Sequence, residues 1–216
     1  MRVTKMHGAG NDYVYTLPRH DRDDWGEVAR KVSDRHFGIG ADGLILALPS
    51  AVADLKMRIF NADGSEAEMC GNGIRCIAKY AVEEGMVAPD IEDISIETGA
   101  GVLTLQLFRQ DGVVSSARVN MGVPRFEPAD LPVNVEGPAP IMGLPLDVGG
   151  MHLSLTLVSV GNPHAIHYVT EGIDDFPLER IGPLVENHPL FPRRTNFQVV
   201  QVVDRGHVRH RVWERG

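Results

Sequence analysis

The chain has 216 residues, 43% hydrophobic and 23% charged, an ordinary soluble balance with enough apolar material for one large core or two small ones. A formal net charge of −8 and the lack of any Lys/Arg run argue against nucleic acid as a partner. The longest apolar run, 44–48, is far too short to span a bilayer, no secretory leader is legible over 1–12, and two cysteines make no disulfide scaffold, so a reducing cytoplasm is the expected location.

In chain order, residues 13–17 form a short β-like run, and the acidic pair Asp23-Asp24 precedes Trp25, Val28, Ala29 and Val32 at helical spacing, which predicts a helix start. Strands follow at 43–48 and 55–60, the latter alternating Leu55, Met57 and Ile59 with Lys56 and Arg58 in a half-buried pattern. A second helix is expected over 72–84, ending at Gly85. Strands over 102–109 and 113–119 flank Gln110-Asp111-Gly112, a hairpin signal. Asn120-Met121-Gly122-Val123-Pro124 then breaks the pattern and opens a Pro-rich stretch to Pro145, which places a domain boundary after 119. Beyond it, strands are expected at 153–159, 165–169, 196–203 and 208–213, with one helix at 175–187 carrying Leu178, Ile181 and Val185 on one face.

An internal repeat is visible. Gly10-Asn11-Asp12 resembles Gly161-Asn162-Pro163, and Arg58-Ile59-Phe60-Asn61 resembles Arg211-Val212-Trp213-Glu214, in the same order and at nearly the same offset. A duplicated domain would give this pattern.

The most informative segment runs from Asn61 to Cys76. A polar, turn-rich loop leads into Cys70, glycines flank Asn72, and Ile74, Ile77, Ala78 and Ala81 then line one face of a helix, widened by Cys76, Tyr80 and Val82. A thiol at a helix start meets unpaired N–H groups and the positive end of the macrodipole, a setting in which thiols titrate below their ordinary value of about 8.5. The same N–H groups grip carboxylates, and glycine lets the backbone come close. A thiolate beside a carboxylate site is a general base for the carbon next to that carboxylate. Taken alone, Cys70 also fits a small buried residue. Cys76 sits in the helix body and reads as core filling, and the Cys70–Cys76 spacing matches no zinc or redox pair, so no metal is expected.

These residues resemble the first catalytic motif of diaminopimelate epimerases: Asn61-Ala62-Asp63-Gly64-Ser65-Glu66, then Met69-Cys70-Gly71-Asn72-Gly73. Further motifs follow the family order: Lys5-Met6-His7-Gly8-Ala9-Gly10-Asn11-Asp12, Arg35-His36-Phe37-Gly38-Ile39-Gly40-Ala41-Asp42-Gly43, Gly161-Asn162-Pro163-His164, Arg194-Thr195-Asn196 and Trp213-Glu214-Arg215-Gly216. The resemblance implies an α+β fold of two pseudo-symmetric domains, 1–119 and 120–216, each a barrel-like, mostly antiparallel β-sheet around a central helix, with the site in the cleft between them. It implies no pyridoxal phosphate, no metal and no other cofactor. One cysteine removes the α-proton and a second, on the opposite face, returns one. This interconverts LL- and meso-diaminopimelate for lysine and peptidoglycan synthesis, in a cytoplasmic homodimer.

Carried over to this chain, Cys70 is the first thiol, with His164 beside a catalytic thiol as an aid to its protonation state and Glu214 as a further catalytic group. Backbone N–H groups of Gly71 and Asn72 hold the reacting carboxylate. Asn11, Asn61, Asn162, Asn196, Glu214 and Arg215 hold the ammonium and carboxylate groups, with Arg215 offering a two-pronged carboxylate contact. Each of these side chains also has a plain reading, as turn asparagines, a loop histidine or strand-end charges. The family's second thiol motif and its helix fall after Gly216, so the expectation is of an inactive fragment with an incomplete second domain. Competing expectations are a proline racemase-like isomerase (which typically has His where Asn72 stands), a thiol hydrolase using Cys70 and His164, and a non-catalytic amino-acid-binding protein.

Overall fold

The computed structural model describes residues 2–18 and 23–215 and divides into two compact units, one ending at Met121 and the other spanning Gly122–Arg215. In the first unit, β1 (Thr4–Gly8), β2 (Asn11–Thr16), β3 (Gly43–Leu48), β4 (Leu55–Asn61), β5 (Glu66–Ala67), β6 (Asp93–Thr98), β7 (Gly101–Gln110) and β8 (Val113–Val119) form one sheet. Its order is β1-β2-β3-β4-β6-β7-β8, with β5 alongside β4. The β2–β3 and β4–β6 pairs are parallel and the others antiparallel.

Two helices sandwich the middle of this sheet. α1 (Trp25–Ser33) crosses over between the parallel strands β2 and β3, as a parallel pair requires. α2 (Gly71–Glu83) packs against β1, β2, β3, β6, β7 and β8, so the sheet curls around it. The period-two pattern of the strands sorts the side chains. Tyr13, Tyr15, Ile45 and Ala47 join Ile74, Ile77 and Ala81 in the core around α2, whereas Val14, Leu44, Leu46 and Leu48 join Trp25 and Ala29 beneath α1. That is why β3 is buried along its whole length and reads as a continuous apolar run rather than an alternating one.

The expected hairpin forms between β7 and β8. Asp111 and Gly112 sit at φ +54° and +80°, the two left-handed positions of a type I′ turn. Strands β1 and β6 were not anticipated, although Ile94, Ile96 and Thr98 of β6 alternate cleanly inward.

The second unit is a five-stranded sheet in the order β13-β12-β11-β10-β9, from β9 (Leu144–Val148), β10 (Met151–Ser159), β11 (Pro163–Val169), β12 (Asn196–Asp204) and β13 (His207–Trp213). Its parallel pair, β11–β12, is bridged by α3 (Leu178–Glu186). This helix starts three residues later than the 175 expected, because Phe176 precedes Pro177 and a residue before proline is driven out of the helical region. β9 lies inside the stretch read as a Pro-rich break; Pro145 is tolerated there because β9 is an edge strand.

The sequence repeat has a structural counterpart. Each unit contains a strand, a crossover helix, a parallel strand and then an antiparallel one: β2-α1-β3-β4 and β11-α3-β12-β13. Tyr13 pairs with Gly43 in one, and His164 with Asn196 in the other.

One face of the second sheet packs Leu153, Leu155, Leu157, Ala165, Phe197 and Val199 against Ile181 and Val185 of α3. The opposite face carries Tyr168, Val202, Val208 and Val212, which are 52%, 58%, 60% and 37% exposed. Val202 and Val208 are register partners on adjacent strands. An apolar strip of this kind recruits hydrophobic dye. The double substitution Val202→Thr/Val208→Thr is expected to lower dye fluorescence clearly while leaving the melting temperature in place, since both positions are exposed and threonine keeps the β-branched shape. Among the described residues no helix is long and apolar enough to cross a membrane.

Candidate active site

Cys70 is the N-cap of α2. Its extended backbone (φ −137°, ψ 118°) turns the thiol back over the helix start, where the Gly73 N–H donates to Sγ at 3.4 Å. Two more donors reach the sulfur from β2: the Tyr13 hydroxyl at 3.6 Å and the Asn11 amide at 3.8 Å. Three donors converging on one sulfur are a setting that suits an anion. The N–H groups of Gly71 and Asn72 belong to the first turn, where no intrahelical carbonyl is available to them. The Asn72 side chain, in contrast, is engaged: its Oδ1 accepts from Arg75 Nη2 at 2.6 Å.

Close packing makes this arrangement possible. A Cβ on Gly73 would stand 2.6 Å from Ile45 Cδ1, and one on Gly8 would stand 2.9 Å from the Asn72 carbonyl oxygen. Asn61 ends β4, where its amide donates to Ser65 Oγ at 3.0 Å and its backbone N–H to Ser65 O at 2.9 Å, so it is held by the loop that leads to Cys70. Cys76, the other thiol, lies one and a half turns along α2, is 7% exposed, and is pushed up from its ordinary pKa by burial.

A charged cluster fixes the start of β2. Asp12 takes Arg35 at 2.9 Å and Lys5 at 2.9 Å, while Arg35 also reaches Asp42 at 2.8 Å. The two backbones close the ring, with Asp12 N–H donating to Asp42 Oδ2 at 2.9 Å and Asp42 N–H to the Asp12 carbonyl at 2.8 Å. Lys5 further donates to the Gly40 carbonyl. Burial works to raise the Asp12 pKa, but hydrogen bonds from Arg35 and Lys5 outweigh it and hold the carboxyl well below the usual range. A depressed carboxyl stabilises the fold above its unfolded value, and that stability is lost as pH falls toward its folded value. Acid titration should therefore lower unfolding stability below about pH 4, and Asp12→Asn should flatten that limb. Denaturant melts at stepped pH would show it, and an unchanged acid limb in the variant would count against the cluster.

The second unit gathers its own polar set at the start of β11 and β12. His164 lies between Asn162, whose Oδ1 is 2.9 Å from Nε2, and Gln198, whose Nε2 is 2.8 Å from Nδ1. Burial, followed by the nearby Arg215 charge, lowers the His164 pKa. Asn196, expected as a substrate contact, is tied into the unit by its own hydrogen bonds. It is 5% exposed, its Nδ2 donates to the Pro163 carbonyl at 2.9 Å, and its Oδ1 accepts from the Arg215 N–H at 2.9 Å. Both ends of its amide therefore hold backbone, because it is the residue that clips β11 to the segment after β13. Arg215 donates from Nη1 to the Arg193 carbonyl at 3.2 Å, and Glu214 is exposed. Gly216 of the same motif lies outside the described residues.

The model of the family described as diaminopimelate epimerase matches residues 3–127 and 156–216. A diaminopimelate epimerase of Acetivibrio thermocellus is 51% identical over 217 residues, covering 100% of this chain and 76% of the relative. The chain belongs to the diaminopimelate epimerase family. A second family member, from Desulfovibrio desulfuricans, is 51% identical over 222 residues with 100% and 76% covered. It is accordingly an isomerase of the epimerase class. A crystal structure of a hydroxyproline epimerase from Agrobacterium vitis aligns at a TM-score of 0.68 over 96% of this chain and 68% of the other, at 16% identity, and so shares the fold alone.

Within this family framework, the first unit brings together Cys70, Asn11, Gly71 and Asn72, with Asn61 held by Ser65 in the loop that leads to them, and the second brings together Asn162, His164, Asn196 and Arg215. Three residues that touch these sets were not anticipated: Tyr13, Gln198 and Arg75. Tyr13 and Gln198 sit inside strands and read as pattern-fillers in sequence. The one signal that would have marked Tyr13 is the repeat itself, in which it is the counterpart of His164.

Proposed function

We propose that the chain binds diaminopimelate and serves the reaction that interconverts its LL and meso forms, with Cys70 as the thiolate that takes the α-proton. The convergence of the Gly73, Tyr13 and Asn11 donors on Sγ at the head of α2 carries this reading. The proton passes from the α-carbon to sulfur while the electron pair spreads into the adjacent carboxylate, held by the first-turn N–H groups of Gly71 and Asn72. Inversion then requires a donor on the opposite face, the role that the family resemblance gives to a second thiol. Cys76 does not suit that role, since it is buried in the core around α2. In this reading 1–119 is the domain that carries Cys70, and Asn11 and Asn61 serve the substrate there. Domain 120–216 supplies Asn162, Glu214 and Arg215 for its charged groups.

Relatives about half identical to the chain are named for this epimerase, whereas the proline-type isomerases share only its fold, which favours diaminopimelate over a proline-like substrate. The same reading gives a cytoplasmic homodimer working on a small molecule, not on nucleic acid or membrane, in keeping with the net charge of −8.

The test is to incubate the protein with LL-diaminopimelate in deuterated water and follow the α-hydrogen by NMR. Exchange at one face needs only one thiol, whose S–H itself exchanges with solvent, so deuterium uptake reports Cys70 independently of inversion. Uptake with diaminopimelate and none with proline supports the reading; no uptake at any protein concentration overturns it.

A further inference from the structure

We propose that Glu186 is a positioning residue for the binding end of the second unit. Its buried carboxylate holds the segments 193–196 and 213–215 at the spacing that presents Arg215 to a substrate carboxylate. This rests on the reading that Arg215 serves the substrate.

Glu186 stands in the wrong place for stability. It is the last residue of α3, where the negative end of the macrodipole repels a carboxylate. It is also only 6% exposed, so its charge is held away from water. A neutral side chain of the same size would suit that helix end better. What the carboxylate does instead is reach two segments that belong to different strands. Oε2 accepts from the Trp213 indole N–H at 2.7 Å, and Oε1 accepts from Arg194 Nη1 at 3.2 Å.

Both segments lead directly into the binding end. Trp213 closes β13 and is followed at once by Glu214 and Arg215. Its side chain is pressed against α3 at Gly182, where a Cβ would stand 2.4 Å from Trp213 Cγ. Arg194 has a left-handed backbone, φ +59°, uncommon for a residue with a side chain, and the chain then enters β12 at Asn196. Arg215 is caught between the two: its N–H donates to Asn196 Oδ1 at 2.9 Å and its Nη1 to the Arg193 carbonyl at 3.2 Å. By holding Arg194 and Trp213 together, one carboxylate fixes both ends of that grip. An acid at a helix C-terminus, a glycine inside the helix and a positive φ all meet at this clamp. Local costs of this kind gather where a binding site must be held in shape.

Glu186→Gln is the test, because it keeps the shape and an acceptor oxygen but removes the charge. The full chain should melt within about 2 °C of wild type or above it, since the conflict with the helix dipole is relieved. In the free protein, hydrogen exchange at the Arg194 and Arg215 N–H groups should quicken about tenfold, while the Leu157 N–H of β10 is unchanged. Calorimetric titration with LL-diaminopimelate should give a Kd raised about tenfold, the loss of one charge-assisted contact. Trp213→Phe removes the indole donor and should weaken binding similarly. The double variant should bind no worse than the weaker single one, as the two halves of one clamp do. A carboxylate with a merely structural role gives the reverse pattern: a lower melting temperature, exchange quickened across the whole unit, and an unchanged Kd. That pattern, unaltered exchange at Arg194 and Arg215, or additive losses in the double variant overturns the proposal. The exchange measurement needs no ligand. A wild type that fails to bind diaminopimelate therefore refutes the substrate, while the clamp stands or falls on the exchange rates.

Discussion

Cys70→Ser should lower α-proton exchange by about a thousandfold at neutral pH while leaving the protein folded. Serine keeps the size, the N-cap position and an oxygen able to accept the Gly73 N–H now aimed at Sγ. Serine is in fact among the preferred N-cap residues, so the melting temperature should hold or rise. What is lost is basicity at accessible pH: an alcohol stays protonated where a thiol ionises, and the donors from Tyr13 and Asn11 do not close that gap. Cys76→Ser is the matched control, since that thiol lies in the core around α2; it should cost stability and spare exchange. Undiminished exchange in Cys70→Ser would remove the thiol from the mechanism.

The second large effect is expected at Gly43. This residue opens β3 between Tyr13 on one side and Asn61 on the other. A Cβ there would lie 2.3 Å from the Phe60 carbonyl oxygen and 2.9 Å from Tyr13 Cε1. The Tyr13 ring has some freedom to turn, but the Phe60 oxygen belongs to the paired strand and can yield only by parting β3 from β4. Gly43→Ala should therefore destabilise the fold by about 2–3 kcal/mol. In a chain of this size that corresponds to a fall in melting temperature on the order of 5–10 °C. Because Tyr13 is one of the donors on Cys70 Sγ, the exchange rate should fall as well, even at temperatures where the variant stays folded. A melt within a degree or two of wild type would mean that β3 and β4 separate more easily than their register suggests.

The chemistry-bearing residues could be found in sequence because each sits where the chain must do something specific locally. Cys70 stands between a polar loop and an apolar helix face, and that transition alone sets the thiol at the helix N-terminus. The hairpin at Asp111-Gly112 and the strands β3, β4, β7 and β8 were similarly legible, since their period and turn residues are local properties. The repeat joining Asn11 to Asn162 and Asn61 to Glu214 was visible as well, because a duplicated strand-helix-strand unit repeats its turns.

Tertiary structure decided the roles of polar side chains within strands. Nothing local in the sequence distinguishes Gln198 from any other outward strand residue, nor Tyr13 from a core aromatic. Each gains its partner from a neighbouring element, His164 across a parallel strand pair and Cys70 at the head of α2. Asn196 shows the same limit: its motif does not reveal that its amide holds two backbone groups, the Pro163 carbonyl and the Arg215 N–H. Sequence periodicity reports which face a residue takes, because that follows from bond geometry along one strand. Hydrogen-bond partners come from strand register and crossover connections, which join residues tens of positions apart, and only the folded chain specifies them.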